Sequence, residues 1–151
     1  MRPPLLCPRP ETEELVELMR KNIQKQQKLL NNEIRGHSSC SILEIGCGTG
    51  IIGIALADKV KASKVTAIDI EPVAVATSLE NAKRVLGTDF GQQHSAMECN
   101  AQGFSSQDRK HFDVVVSNPP YIPKADMKDL SRDVIEYESD QALCVAKMEW
   151  M

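Results

Sequence analysis

Hydrophobic positions in this chain fall into short runs separated by longer stretches of helical spacing. Ser41-Ile42-Leu43-Glu44-Ile45 reads as a strand, closed at once by Gly46-Cys47-Gly48-Thr49-Gly50, and Ile51 to Val60 is apolar at helical spacing. Lys64-Val65-Thr66-Ala67-Ile68-Asp69 is a second strand that ends in an acid. Glu71 to Leu86 follows as a crossover helix, with Pro72 in the first turn, where its missing N–H leaves no bond unmade. A weaker strand, poor in β-branched residues, spans Gln92 to Ala96, and Phe112 to Ser117 is the next clear one. Residues 103–110 read as a surface loop.

Ahead of these elements, residues 1–10 carry Pro3, Pro4, Pro8 and Pro10 and are expected to be extended or turned. Glu11-Thr12-Glu13-Glu14 then places acids in the first turn of a helix, where the macrodipole favours them. Leu15, Leu18, Met19, Ile23, Leu29 and Leu30 give it a partial apolar stripe. Lys21 to Asn32 reads as a solvated extension that ends in a loop around Gly36-His37-Ser38-Ser39. Strands alternating with helices predict an α/β domain with a mostly parallel sheet and crossover helices.

Composition excludes several classes. At 151 residues with 42% apolar content the chain supports one domain with a core. A net charge of −3 argues against non-specific phosphate-backbone binding, which weakens any nucleic-acid role. Cys7, Cys40, Cys47, Cys99 and Cys144 form no CxxC pair, as expected of reduced thiols in an intracellular protein, and Cys47 reads as a small residue in a tight turn. His37, His94 and His111 lack metal-ligand spacing and read as surface or loop residues, so no metal site is expected. No apolar run approaches the roughly 18 residues of a membrane span. The start, Met1 to Leu6, is too short for a signal peptide. Oligomeric state leaves no trace in the sequence.

The glycine-rich segment carries the first chemistry. Glu44-x-Gly46-x-Gly48-x-Gly50 joins a strand to a helix, where glycines let backbone turn sharply and approach a ligand. Its spacing differs from the dinucleotide pattern and lacks the Gly-Lys-Ser/Thr ending of a phosphate loop. Asp69, 19 positions after Gly50, ends the next strand, where a carboxylate can accept hydrogen bonds from both ribose hydroxyls. With no basic partner for a pyrophosphate, an adenosine without phosphates fits, and S-adenosylmethionine meets that description. Its amino-acid end would lie over the loop, with Glu44 orienting the ammonium group directly or through water, and Met97-Glu98 near the adenine.

Asn118-Pro119-Pro120-Tyr121 carries the second. It follows a strand, so Asn118 is expected at the carboxyl edge of the sheet, where open α/β sheets bind ligands. The Asn118 side-chain oxygen and the Pro119 carbonyl can both accept hydrogen bonds from an NH₂ group, and Tyr121 can stack on a planar amine or amide. Two acceptors turn the nitrogen lone pair toward the sulfonium methyl, which is catalysis by positioning. Asn118 therefore borders both ligands. The expected reaction is methyl transfer to nitrogen.

These residues resemble the class I methyltransferases whose amino-methylating members carry (D/N/S)PP(Y/F/W). More closely, the chain is similar to the HemK/PrmC family of release-factor glutamine methyltransferases. The similarity is carried by Pro8-Arg9-Pro10-Glu11-Thr12-Glu13-Glu14-Leu15, Leu43 to Gly50, and Val116-Ser117-Asn118-Pro119-Pro120-Tyr121-Ile122-Pro123, with Asp133-Val134, Tyr137-Glu138-Ser139 and Ala142-Leu143 beyond them. It implies a Rossmann-like sheet and methylation of the side-chain nitrogen of the glutamine in the Gly-Gly-Gln motif of a peptide-chain release factor. It further implies that Asn118 and Pro119 hold that amide while Tyr121 packs against it, that Pro120 belongs to the same substrate-binding segment, and that Gly46, Gly48, Gly50 and Asp69 bind S-adenosylmethionine.

By the same resemblance, residues 11–143 form a partial methyltransferase domain between an extended start, 1–10, and a divergent tail, 144–151. Set against the family, the chain is expected to lack the N-terminal helical domain and the last three strands, and so to be a truncated or alternatively spliced product of low activity and marginal stability. Cytosol and mitochondrial matrix both suit the reaction, the matrix favoured if the chain is eukaryotic. Two other readings stand beside it: an adenine-N6 methyltransferase on DNA or RNA, and a catalytically silent module that binds cofactor or partner. The first is opposed by the acidic balance and by having only one Trp, two Tyr and three Phe to stack on a flipped base.

Overall fold

The structure is a computed structural model that describes residues 5, 9–33, 39–104, 111–123, 125–129 and 143–144, with backbone only at 30–33 and 129. It divides into two units, Arg9–Ser117 and, separately, Met1–Pro8 with Asn118–Met151.

The first unit is an α/β layer. A long helix α1 (Pro10–Glu33) leads into β1 (Cys40–Ile45), α2 (Ile51–Lys59), β2 (Ser63–Asp69), α3 (Pro72–Leu86), a 3₁₀ turn (Gly87–Asp89), the single turn α4 (Phe90–Gln93), β3 (His94–Glu98) and β4 (Val114–Ser117). The strands pair in parallel in the order β3-β2-β1-β4. The chain runs outward from β1 through β2 to β3, then returns to β1's other side as β4. Between β1 and β4 lies a topological switch point, the place where such sheets open a ligand crevice at their carboxyl ends.

Local chemistry explains the elements. In β1 the consecutive residues Ile42, Leu43 and Glu44 are all buried, as in a parallel sheet covered on both faces. Helix α2 buries Ile52, Gly53, Ile54, Leu56 and Ala57, nearly its whole circumference, so it is a core helix rather than a surface one. Helix α3 is amphipathic, with Ala74, Ser78 and Ala82 buried four residues apart and the basic pair Lys83 and Arg84 in its last turn. The core joins Val16 and Ile23 of α1 to Ile42, Ile52, Leu56, Val60, Val65 and Val116.

Four expectations shift. The third strand is His94–Glu98 rather than Gln92–Ala96, because Gln92 and Gln93 close α4 and pairing of Val65 with His94 through Asp69 with Glu98 outweighs weak β-propensity. The fourth strand begins at Val114 because Asp113 is spent as a clip. Its N–H donates to the Ser41 carbonyl at 2.8 Å, and its carboxylate accepts from the Ser41 N–H at 2.7 Å. The buried stripe of α1 is Thr12, Val16 and Ile23, with Leu15 and Met19 beside it, while Leu18 and Leu29 are exposed. The polar half of α1 is also not merely solvated: Gln24 and Gln27 donate to the carbonyls of Lys59 and Lys61 at 3.3 and 3.2 Å, capping the end of α2.

In the second unit, the Ile122 N–H donates to the Leu143 carbonyl at 3.0 Å within a parallel bridge between Ile122 and Cys144. The Asp126 N–H closes a turn onto the Pro123 carbonyl at 2.9 Å, ahead of a 3₁₀ turn at Met127–Asp129. The Asp133-to-Ser139 similarity, the tail 145–151, residues 105–110 of the loop, His37 and most of the proline-rich start lie outside the described residues.

Candidate functional site

Residues 46–50 leave β1 and enter α2 as a loop held from three directions. The N–H groups of Gly46 and Cys47 both donate to the Ile68 carbonyl of β2, at 2.8 and 3.1 Å. The Gly48 N–H donates to Asp69 Oδ2 at 2.9 Å, and the Gly50 N–H returns to the Cys47 carbonyl at 2.7 Å. From α3, Asn81 Nδ2 donates to the Thr49 carbonyl at 3.0 Å. Gly50 has φ 78°, and a Cβ there would collide with the Ser78 hydroxyl, so only glycine fits.

Asp69 is half-buried at the end of β2. Its second oxygen accepts from the Glu71 N–H at 3.0 Å, so one carboxylate ties the glycine loop to the start of α3. A carboxylate offers about four acceptor positions, which leaves capacity for hydroxyl donors. Met97 and Glu98 pair in register with Ile68 and Asp69, and both side chains are exposed. The fold thus gathers Glu44, Gly46, Gly48, Gly50, Asp69 and Met97 at the carboxyl end of this sheet.

Glu44 is 1% exposed, under the first turn of α2, with the Gly53 N–H donating to it. A Cβ at Gly53 would overlap Glu44 Oε2, so that glycine makes room for the carboxyl group. Burial pushes the Glu44 acid up to about 8, opposed by the Gly53 hydrogen bond and reinforced by the nearby Asp69 charge. Its Oε2 has no hydrogen-bond partner. Cys47 is buried too, its thiol pushed up to about 12 chiefly by burial, which makes it a packing residue and not a nucleophile.

His94, expected at the surface, is buried. It starts β3 against α3, with Nε2 3.5 Å from the Ser78 hydroxyl, and burial lowers it to about 4. Ser78 and Asn81 are the residues that sequence reasoning missed. The available signal was their place on or beside the Ala74-Ser78-Ala82 face of α3, which had to meet the loop. Among the described residues no cluster of His, Cys, Asp and Glu could hold a metal, and no helix is long and apolar enough to cross a membrane.

Asn118 to Tyr121 belong to the second unit. Asn118 and Pro120 are half-buried, Pro119 is exposed, and the Tyr121 ring is 71% exposed. Immediately after them, the Ile122 bridge and the Pro123 turn fix the outgoing chain. In the first unit, Ser117 ends β4 with its hydroxyl donating to the Ile45 carbonyl at 2.9 Å.

A parallel sheet in this order, with a glycine loop after β1 and an acid after β2, defines the class I methyltransferase fold. The chain belongs to the methyltransferase small domain family, whose model matches residues 18–143. It is 33% identical over 143 residues to the human MTRF1L release factor glutamine methyltransferase, covering 95% of this chain and 41% of that protein. It is 39% identical to the release factor glutamine methyltransferase of Flavobacterium psychrophilum, covering 93% and 44%. A tRNA1(Val) (adenine(37)-N6)-methyltransferase from a Flavobacteriaceae bacterium is 42% identical over 82 residues, covering 54% and 33%. The chain thus spans less than half the length of the curated relatives it matches. In fold it resembles the solved human methyltransferase 10 domain containing protein, with a TM-score of 0.56 and 13% identity over 80% of this chain and 53% of that one.

Proposed function

We propose that this chain carries S-adenosylmethionine-dependent methylation of the side-chain amide nitrogen of the glutamine in the Gly-Gly-Gln motif of a peptide-chain release factor. The observation that carries this reading is the extent of the similarity. Relatives named release factor glutamine methyltransferase match more than nine-tenths of the chain, a span that takes in both the glycine loop and Asn-Pro-Pro-Tyr.

The loop suits the cofactor. Gly46 and Gly48 have open space where a side chain would be, Asp69 has acceptor capacity for ribose hydroxyls, and Glu44 is a buried acid under the loop whose Oε2 has no hydrogen-bond partner. Met97 offers an apolar surface beside the adenine. When bound, S-adenosylmethionine supplies a sulfonium methyl that the amide nitrogen takes, leaving a thioether and releasing one amide proton to water. The chain's own part is positioning: Asn118 Oδ1 and the Pro119 carbonyl accept the two amide hydrogens, Pro120 stiffens the turn, and Tyr121 covers the amide plane. Residues 11–143 are a partial methyltransferase domain on this reading, the release factor is its partner, and the mitochondrial matrix is the favoured compartment in a eukaryote.

Mass spectrometry of a release factor incubated with the chain and S-adenosylmethionine tests this. One methyl on the Gly-Gly-Gln glutamine, lost in Asn118→Ala, is the expected result. An unmodified glutamine under conditions where the cofactor binds would sink the proposal. Methylated adenine in RNA would favour the second reading, which rests on the partial similarity to the tRNA adenine methyltransferase.

A further inference from the structure

We propose that Asn81 is a positioning residue for the cofactor loop, acting through the Thr49 carbonyl; this rests on the methyltransferase reading above. Helix α3 meets the loop through two side chains three residues apart, which a helix presents on one face. Ser78 is fully buried and lies against Gly50, with its hydroxyl 3.5 Å from His94 Nε2. Asn81, half-buried, donates its Nδ2–H to the Thr49 carbonyl at 3.0 Å across 32 residues of sequence.

That carbonyl belongs to the peptide unit joining Thr49 to Gly50, and the other end of the same unit is held as well. The Gly50 N–H donates to the Cys47 carbonyl at 2.7 Å. The next carbonyl, that of Gly50, accepts from the Ile54 N–H at 2.9 Å and so starts α2. The peptide plane is therefore pinned at its oxygen by α3 and at its nitrogen by the loop itself. Its neighbours Gly48 and Gly50 both sit at positive φ, 53° and 78°, in a part of conformational space where glycine turns at little steric cost. A loop of this composition has weak intrinsic preference for one orientation, so the fixed direction of this peptide comes from its partners. Asn81 is the partner reached from outside the loop. Releasing it lets the Thr49–Gly50 peptide turn, and a ligand seated on the loop must then reorder it on binding.

The roles of Asn81 and of plain packing separate by substitution. Asn81→Asp keeps the shape, removes the donor and sets oxygen against oxygen. Asn81→Ala removes the side chain. Calorimetry of the 151-residue chain with S-adenosylhomocysteine at pH 8 is expected to show binding weakened about tenfold in Asn81→Ala, the size of one lost hydrogen bond, and more in Asn81→Asp. Far-UV circular dichroism of both variants should match the parent. As the pH falls through about 4, the carboxyl group introduced by Asn81→Asp takes up a proton and regains an O–H donor. The ratio of Asn81→Asp to parent affinity should therefore recover, while the Asn81→Ala ratio stays flat, a difference that loss of packing alone would not produce. Parent-like binding by both variants, or equal pH dependence of the two ratios, overturns the proposal. Absence of binding by the parent chain removes the cofactor reading itself, and this inference with it.

Discussion

The two loops assigned to cofactor and substrate are held by opposite means. Residues 46–50 are glycine-rich and take their shape from outside, through hydrogen bonds with Ile68, Asp69 and Asn81. Residues 118–121 take theirs from within, since Pro119 and Pro120 restrict their own φ and donate nothing. The first loop is built into the core layer between α2 and α3, whereas the second ends in a tyrosine ring that is 71% exposed. The contrast fits two tasks: a small cofactor needs a preformed cradle, and a protein substrate needs an accessible grip that its own binding completes.

If the tasks divide this way, damage to each loop should be separable. Asn118→Ala is expected to lower turnover on the release factor by about 10²–10³, roughly 3–4 kcal/mol of transition-state positioning, while cofactor affinity measured by calorimetry falls far less. A comparable loss of cofactor affinity would break the division. Gly50→Ala should do the reverse. A side chain at φ 78° costs about 1–2 kcal/mol, and its collision with the Ser78 hydroxyl adds about 1–3 kcal/mol. Urea denaturation should therefore show a destabilisation of about 3 kcal/mol together with weakened cofactor binding.

The same contrast governs what could be read from sequence. The glycine loop and Asp69 were legible because their chemistry is local: three glycines after one strand and an acid ending the next allow few geometries. The parallel sheet followed from the alternation of strands and helices. What stayed hidden depends on distant partners. His94 lies in a stretch of weak β-propensity and is buried only because β3 pairs with β2 and α3 covers it. Leu18 looked like core and is exposed, while Val16 is the buried residue, because the angle at which α1 meets α2 decides which stripe is covered. Asn81 carried only the faint signal of its place beside the Ala74-Ser78-Ala82 face, which points to the loop only once α3 is docked against it.

The buried acid under the first loop gives a pH signature. Glu44 is raised to about 8, so between the ordinary carboxylic range and pH 8 the unfolded chain has lost a proton that the folded chain keeps. Stability on this account falls as pH rises through that window. His94, lowered to about 4, works the other way: below its ordinary range near 6.5 the unfolded chain takes up a proton the folded chain refuses, so its effect favours folding as pH climbs from 4 to 6.5. The two oppose each other in mild acid, and only Glu44 acts above pH 6.5. Thermal or urea melts should lose about 2 kcal/mol between about pH 6.5 and 8, and Glu44→Gln, which keeps an acceptor for the Gly53 N–H, should flatten that slope. An unchanged slope in the variant would mean that the carboxyl is ionised in the folded chain.

The smallest effect belongs to the outermost group. The Tyr121 ring is assigned to cover the amide plane, a task for its face, and its hydroxyl has no part in it. Tyr121→Phe keeps the face and should leave kcat and KM for the release factor within about twofold. Tyr121→Ala removes an aromatic contact of about 0.5–1.5 kcal/mol and should raise KM several-fold with less change in kcat. Steady-state kinetics on both variants distinguishes the two roles. If Phe behaves like Ala, the hydroxyl is the working group, and the second loop grips its substrate by hydrogen bonding at three points instead of two.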